Sequence, residues 1–315
     1  MSAQHHPART LMPTHLQPAG TGPLLGAIRA VTYSVPDLGA IEHAYQAVLG
    51  YQVVDRRRIG AAQAHAWAAP AAEGLQSLTL APASGEPVFL RFIEDAHAAR
   101  WSSLTTFGWN ATEFVVQDVD ALAARLEGSE FEIIGPPKPL TRFPMIRAMQ
   151  AIGPAGECCY FTQIGPGSGL ELAAAHSFVG RVFIVVAAGP DADALYAPYA
   201  RFRNRTEPPV ATPIAVISRA HSLPESTRHR HGLVRLTEGT LIELDQYPAS
   251  ARHRDVRGGA LPPGMAIVTF AADSLDELPC IAPAAECSLP PLGHACACLR
   301  GATGELIEII AGKPG

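Results

Sequence analysis

The chain has 315 residues, of which 48% are hydrophobic and 17% charged, a composition typical of folded globular proteins rather than disordered ones. Its formal net charge of -5 argues against a nucleic-acid-binding surface. The sequence contains no run of roughly 18 to 20 apolar residues, so we predict no membrane partner.

The six cysteines lack the C-x2-C spacing typical of structural zinc, and we interpret most of them as small core residues in a reducing cytoplasm. Residues 1–23 are rich in Pro, His, Gly and Thr. They have no apolar stretch like that of a signal peptide, which indicates a disordered leader. The sequence therefore predicts a cytoplasmic protein.

Four segments share one plan: a β-rich run, an acidic or turn residue, and a helical stretch. These openings are residues 27–51, 109–128, 181–202 and 264–279, the last with a shorter helix. In the first opening, Asp37 is a helix cap and Gly50 fits the helix end. Further strand-like runs follow each opening, and the closing strands are predicted at 85–94, 156–164, 239–248 and 304–312. The repeating unit is therefore βαβββ.

A segment rich in Gly, Pro and Ser, residues 165–177, is the predicted linker between two domains. It divides the chain into an N-terminal domain at 24–164 and a C-terminal domain at 178–315. Each domain would contain two units.

The motifs of these units carry a family resemblance. VPDL at 35–38, followed by AYQAVLGY at 44–51, resembles the opening of glyoxalase and bleomycin-resistance proteins. PAGE at 154–157, GTLIE at 239–243 and GELIE at 304–308 resemble the start of the closing strand. The chain thus resembles a two-domain, four-module member of the vicinal oxygen chelate superfamily, which includes glyoxalases, bleomycin-resistance proteins and extradiol dioxygenases.

This resemblance implies an α+β fold in which four βαβββ modules pair into two open, cup-shaped domains. It also implies a divalent metal in a cup, held by His or Gln on opening strands and by Glu on closing strands. Most of the corresponding positions carry other residues, namely Ala30, Phe89, Ala111, Tyr160, Ile184 and either Ala266 or Ile267. The second half keeps Glu243 and Glu308.

A metal site in the C-terminal cup would therefore need unusual ligands. We predict Glu243 and Glu308, with His221 and His294 as imidazole ligands from non-standard positions; His176 and His231 are further candidates. Two carboxylates with one or two imidazoles suit Fe, Mn or Zn. The alternative is that no metal binds and that each histidine is a loop or hydrogen-bonded residue.

Strand alternation predicts the lining of the first cup. Glu113 and Arg91 would share it as an ion pair, with Thr32, Tyr160 and Thr162 beside them. The pair is either structural or catalytic. In the second case Arg91 binds a substrate oxygen and Glu113 is a general base, with Tyr160 as a third catalytic candidate. Thr32, Thr162 and, in the second cup, Asp245 are substrate-binding candidates.

Two functions follow from the resemblance. The first is an enzyme with lyase, isomerase or dioxygenase chemistry on a small oxygenated substrate, aromatic or carbonyl. The alternative is a non-catalytic, bleomycin-resistance-like protein that binds a small molecule without the metal ligands. The first half could also be purely structural. A homo-oligomer is possible in each case.

Overall fold

The computed structural model describes residues 20–98, 101–141, 143–166, 171–276, 278–283, 285–286 and 295–311. Four successive units build the chain. The first comprises β1 (Leu25–Val35), α1 (Leu38–Ala47), β2 (Gln52–Arg58), α2 (Ala61–Ala66), a 3₁₀ turn (Pro70–Ala72), β3 (Gln76–Ala81) and β4 (Phe89–Glu94). The second comprises β5 (Gly108–Val116), α3 (Val119–Leu126), β6 (Glu132–Pro139), β7 (Ile146–Ile152) and β8 (Cys158–Ile164).

The second half repeats this order. The third unit comprises β9 (Val179–Gly189), α4 (Ala192–Leu195), β10 (Thr206–Pro213), α5 (Ala215–Ala220), β11 (Arg228–Arg235) and β12 (Leu241–Gln246). The fourth comprises β13 (Gly264–Ala272), β14 (Ala285–Glu286), β15 (Ala295–Arg300) and β16 (Leu306–Ala311). No helix in the described part of the chain has both the length and the apolarity needed to cross a membrane.

Aspartate caps set the helix starts of the first three units, as the sequence predicts. Asp37 accepts a hydrogen bond from the backbone N–H of Gly39 at 2.7 Å, and Asp118 and Asp191 cap α3 and α4 in the same way. The short helix predicted in the fourth unit is wrong, since the described residues of 273–283 contain none. A stretch this short does not sustain a helix, and Pro279 disfavours helical backbone at Leu278.

The strands form two sheets within the described residues. One has the order β14-β15-β16-β13-β1-β4-β3-β2 and joins the fourth unit to the first. The other has the order β10-β11-β12-β9-β5-β8-β7-β6 and joins the third unit to the second. Antiparallel pairs of opening strands, β1 with β13 and β5 with β9, lie at the sheet centres. We call these curled sheets the 1–4 cup and the 2–3 cup.

The predicted fold class, α+β with βαβββ modules paired into two cups, is confirmed. The predicted pairing of the units is wrong, because each sheet combines one unit from 24–164 with one unit from 178–315. Within a unit, the opening strand has one free edge, and the opening strand of any other unit can pair with it. The role of 165–177 as a linker stays a prediction.

One apolar core lies between the two sheets and includes Val31, Tyr33, Phe114 and Val185. Hydrogen bonds cross this core: Tyr33 Oη lies 3.0 Å from Thr112 Oγ1, and Trp109 Nε1 donates to the carbonyl of Leu306 at 2.8 Å. Because side chains alternate along a strand, the residues between these core positions face the other way. The two cups are therefore back to back, and each has its own inner face.

Candidate functional site

In every unit the opening strand (β1, β5, β9 or β13) runs parallel to the closing strand (β4, β8, β12 or β16). A side chain of the opening strand therefore lies beside one of the closing strand on the inner face. In the 1–4 cup these neighbours are Thr32 with Arg91 and Thr269 with Glu308. In the 2–3 cup they are Glu113 with Tyr160 and Val186 with Glu243. The two cups thus present different chemistry at matching positions.

An ion pair occupies the centre of the 1–4 cup. Arg91 Nη2 lies 3.1 Å from Glu308 Oε2, and the two side chains are 2% and 0% exposed. Arg91 Nε donates to Thr32 Oγ1 at 2.9 Å. The Glu308 carboxylate accepts from Thr269 Oγ1 at 2.6 Å and from Trp67 Nε1 at 2.7 Å. Every charge at this centre is therefore paired inside the protein.

The segment after α2 seals this cup. The guanidinium of Arg91 lies over the Trp67 ring, 4.7 Å from its centroid. Burial alone would raise the pKa of Glu308, but Arg91, Thr269 and Trp67 outweigh it and hold that pKa below its ordinary value. The residues do not fit a metal ion, because a guanidinium already neutralises the carboxylate.

The 2–3 cup is more accessible, since Glu113, Tyr160 and Glu243 are partly exposed. The Thr162 hydroxyl donates a hydrogen bond to Glu113. Burial raises the pKa of Glu113 to about 7; the Thr162 hydrogen bond opposes this rise and the charge of Glu243 adds to it. Glu113 can therefore exchange a proton near neutral pH.

Next to it, β11 and β12 bring His231, Glu243 and Asp245 together. One potential ligand atom from each of the three lies within 4.8 Å of the other two, and His231 Nδ1 is 3.8 Å from Glu243 Oε1. Both ring nitrogens of His231 and Oδ1 of Asp245 are buried without a hydrogen-bond partner in the described residues. Burial, followed by the charge of Glu243, raises the pKa of Asp245.

This donor set fits a divalent metal ion. One imidazole and two carboxylates are ligands that Fe(II), Mn(II) and Zn(II) accept. The unpartnered buried atoms are the groups that a cation would satisfy. The sequence predicts Glu243 as a ligand and offers His231 as a further candidate, whereas it predicts Asp245 only as a substrate-binding residue.

Aromatic and apolar side chains border the same cluster. Burial raises the pKa of Tyr160 and of Tyr247, and nearby carboxylates add to the effect, so both phenols stay protonated. A groove of about 550 Å³ lies between α5, β6 and residues 101–105. Part of its apolar wall belongs to the hydrophobic cluster that contains Tyr160 and Tyr247, namely Leu104, Ile134, Ile152 and Val216.

The predicted Arg91–Glu113 pair is wrong, since the two residues lie on different sheets. Arg91 and Thr32 line the 1–4 cup, whereas Glu113 lines the 2–3 cup with Tyr160 and Thr162. The cause is the unit pairing, which places the first and second units in separate cups.

The predicted metal ligands also separate. Glu308 lies in the 1–4 cup and Glu243 in the 2–3 cup, so they cannot share an ion. His221 lies outside the cluster, because its Nδ1 is 2.7 Å from Ser250 Oγ and its Nε2 is 2.9 Å from the carbonyl of Leu104. His294 lies outside the described residues.

Comparison with known proteins supports the fold. No family model matches the chain, and no curated protein matches it in sequence. Among solved structures, a mutant of glyoxalase I from Zea mays is similar, with a TM-score of 0.60 at 13% identity over 90% of this chain and 92% of that chain. A Bacillus subtilis protein with a provisional dioxygenase name also has a TM-score of 0.60, at 15% identity over 93% and 87%. The chain therefore has the predicted vicinal oxygen chelate fold.

The ion pair of the 1–4 cup generates a stability prediction. Arg91→Met leaves the Glu308 carboxylate buried without its cation, so we expect a loss of about 3 to 5 kcal/mol in the free energy of unfolding. Urea denaturation measures this change. Arg219→Met is the control: it breaks the exposed pair with Glu225 and should change stability by less than about 1 kcal/mol. Equal effects of the two substitutions would contradict a buried structural pair.

Glu113 should make the stability of the metal-free protein depend on pH. The pKa of a glutamate carboxyl in water is 4.5 and that of Glu113 in the cup is about 7, so between these values the unfolded chain releases the proton first. Ionisation therefore costs the folded state about 3 kcal/mol; the cost is fully present above about pH 7 and absent below about pH 4.5.

Glu113→Gln removes this ionisation. Relative to the wild type, the variant should gain stability as the pH rises from about 5 to about 8. Urea denaturation at pH 5 and at pH 8 measures the free energy of unfolding of both proteins. Glu225→Gln, which changes an exposed carboxylate, should show no such dependence on pH. A difference between wild type and Glu113→Gln that is equal at both pH values would rule out the raised pKa.

Proposed function

We propose that the 2–3 cup is the working site of an enzyme that acts on a small oxygenated substrate, aromatic or carbonyl. The observation that carries the proposal is the set of unpartnered polar atoms of His231 and Asp245 in this cup, next to the partly exposed Glu113. The 1–4 cup has a structural role in this proposal, because Arg91 and Glu308 neutralise each other's charge.

In the proposal one divalent metal ion binds to His231, Glu243 and Asp245. A cation relieves the repulsion between the two carboxylates and satisfies the imidazole, whose nitrogens have no hydrogen-bond partner among the described residues. When bound, such an ion polarises a substrate oxygen and stabilises negative charge that develops on it.

Glu113 is the proposed general base. Without the ion, its pKa of about 7 makes it a stronger proton acceptor than an ordinary carboxylate; an ion on Glu243 would remove the smaller cause of that rise and leave burial, the larger one. Thr162 fixes its orientation by a hydrogen bond, and the neutral phenol of Tyr160 lies beside it on β8 as a donor to a substrate oxygen. This arrangement favours proton transfer at a carbon next to a carbonyl, as lyase or isomerase chemistry requires.

A non-catalytic binding protein is the second candidate. It is favoured by Val186, an apolar side chain at the inner position beside Glu243, where an opening strand could have supplied a fourth polar group. Both candidates predict ligand binding, and only the enzyme predicts proton exchange.

The metal site can be tested by metal content. The full chain, incubated with Mn(II) and freed of excess ion, should retain about one ion per chain. Glu243→Gln and Asp245→Asn each remove a charged ligand, so we expect at least about tenfold weaker binding. Elemental analysis and titration measure it, with Glu225→Gln as the surface-carboxylate control. Wild-type protein without metal, or ligand variants that bind as tightly as the control, would refute the site.

Proton transfer can be tested by deuterium exchange. The Mn(II)-loaded protein is mixed in D2O with a panel of small α-hydroxycarbonyl compounds, and loss of the adjacent C–H signal is followed by proton NMR. Glu113→Gln should slow the exchange about 100-fold or more, and Glu225→Gln should leave it unchanged. Binding of panel members without exchange would instead support the non-catalytic candidate.

A further inference from the structure

Tyr247 lies on the inner face of the 2–3 cup, immediately after β12. Glu243, Asp245 and Tyr247 alternate along the chain, so their side chains project to the same side. The Tyr247 ring belongs to an apolar cluster with Val186 and Ala188, and these two residues pair with Glu243 and Asp245 across the sheet. The phenol is therefore next to the proposed metal cluster.

The hydroxyl of Tyr247 is buried but unsatisfied. Tyr247 is 3% exposed and Asp245 is 2% exposed, and neither the phenol oxygen nor Asp245 Oδ1 has a hydrogen-bond partner in the described residues. An unsatisfied buried polar group costs about 1 to 3 kcal/mol, so folded proteins rarely keep one without a reason. A bound molecule with an oxygen atom beside the cluster would satisfy the phenol.

The ring is held in place before any ligand binds. Tyr247 makes an edge contact with His221, with ring centroids 5.9 Å apart and planes at 73°. His221 is itself fixed by Ser250 and by the carbonyl of Leu104. A donor on a fixed ring loses little conformational freedom when it forms a hydrogen bond.

We infer that Tyr247 is a specificity-determining residue that donates a hydrogen bond to a ligand oxygen bound beside His231, Glu243 and Asp245. The inference rests on the proposed metal site and extends it to the class of ligand. Molecules that present a carbonyl, enolate or hydroxamate oxygen to the metal gain this hydrogen bond. Molecules that coordinate through nitrogen alone do not, because an aromatic nitrogen bound to the metal has no lone pair left to accept from the phenol.

The test compares two probes on Co(II)-loaded full-length protein, followed by the visible absorption of cobalt. Acetohydroxamate binds metals through oxygen, and imidazole binds through nitrogen. Tyr247→Phe should bind acetohydroxamate about 5- to 15-fold more weakly than the wild type, which is the effect of one hydrogen bond. Its affinities for imidazole and for Co(II) should stay within about twofold of the wild type.

Tyr199→Phe is the matched control. Tyr199 is 1% exposed and its hydroxyl also lacks a partner in the described residues, but it lies in the core between the sheets. This variant should bind both probes as the wild type does. A weaker affinity for acetohydroxamate in Tyr199→Phe as well would show a general effect of losing a buried phenol and would overturn the assignment.

The remaining outcomes separate this inference from the function on which it rests. If the wild type gives no cobalt spectrum, the metal site and the role of Tyr247 fail together. If cobalt binds but Tyr247→Phe keeps its acetohydroxamate affinity, the role of Tyr247 alone fails. The role also fails if Tyr247→Phe loses affinity for both probes or for Co(II), because that result indicates a structural function of the side chain.

Discussion

The antiparallel pairing between opening strands, β1 with β13 and β5 with β9, is the constraint on which the rest of the structure depends. It joins four small units into two continuous sheets and leaves no opening strand as a free edge. It also decides which side chains meet, because each cup centre takes residues from the two units that it joins. Arg91 contacts Glu308 across 217 positions of sequence for this reason.

Charge balance then separates the two cups. In the 1–4 cup one guanidinium and one carboxylate neutralise each other; Thr32 accepts from the guanidinium, and Thr269 and Trp67 donate to the carboxylate, so that Nη1 of Arg91 is the one nitrogen of the pair without a partner in the described residues. In the 2–3 cup burial and the charge of Glu243 raise the pKa of both Glu113 and Asp245, with no neighbouring arginine among the causes. A buried excess of carboxylates is stable only with protons or a cation. The 1–4 cup thus balances its own charge, whereas the 2–3 cup has carboxylates that a ligand can neutralise.

Short sequence motifs were enough to predict the four units. The site could be predicted only in part, because it depends on which units pair across long distances in the sequence. Asp37 and Asp118 cap helices as expected, because a cap depends on three or four consecutive residues. The cup partners could not be derived, because every opening strand offers an equivalent edge. His231 remained one candidate among several for the same reason. Within the first unit the register agrees with the sequence: the two expected ligand positions, Ala30 and Phe89, pair with each other, and Thr32 lies beside Arg91 as strand alternation predicts.

The segments after α2 and α5 show how one fold yields a closed cup and an open one. Trp67 and His221 are the C-cap residues of these two helices, each placed between the second and third strands of its unit. Trp67 donates into the cup, to Glu308, and completes the buried ion pair. His221 instead bonds to Ser250 and Leu104, outside the carboxylate cluster, and its ring contacts Tyr247. Trp67 points into its cup, donates to the Glu308 carboxylate and closes the cup. His221 is held outside its cup, so it leaves Glu243 and Asp245 available to a ligand and packs against the Tyr247 ring next to them.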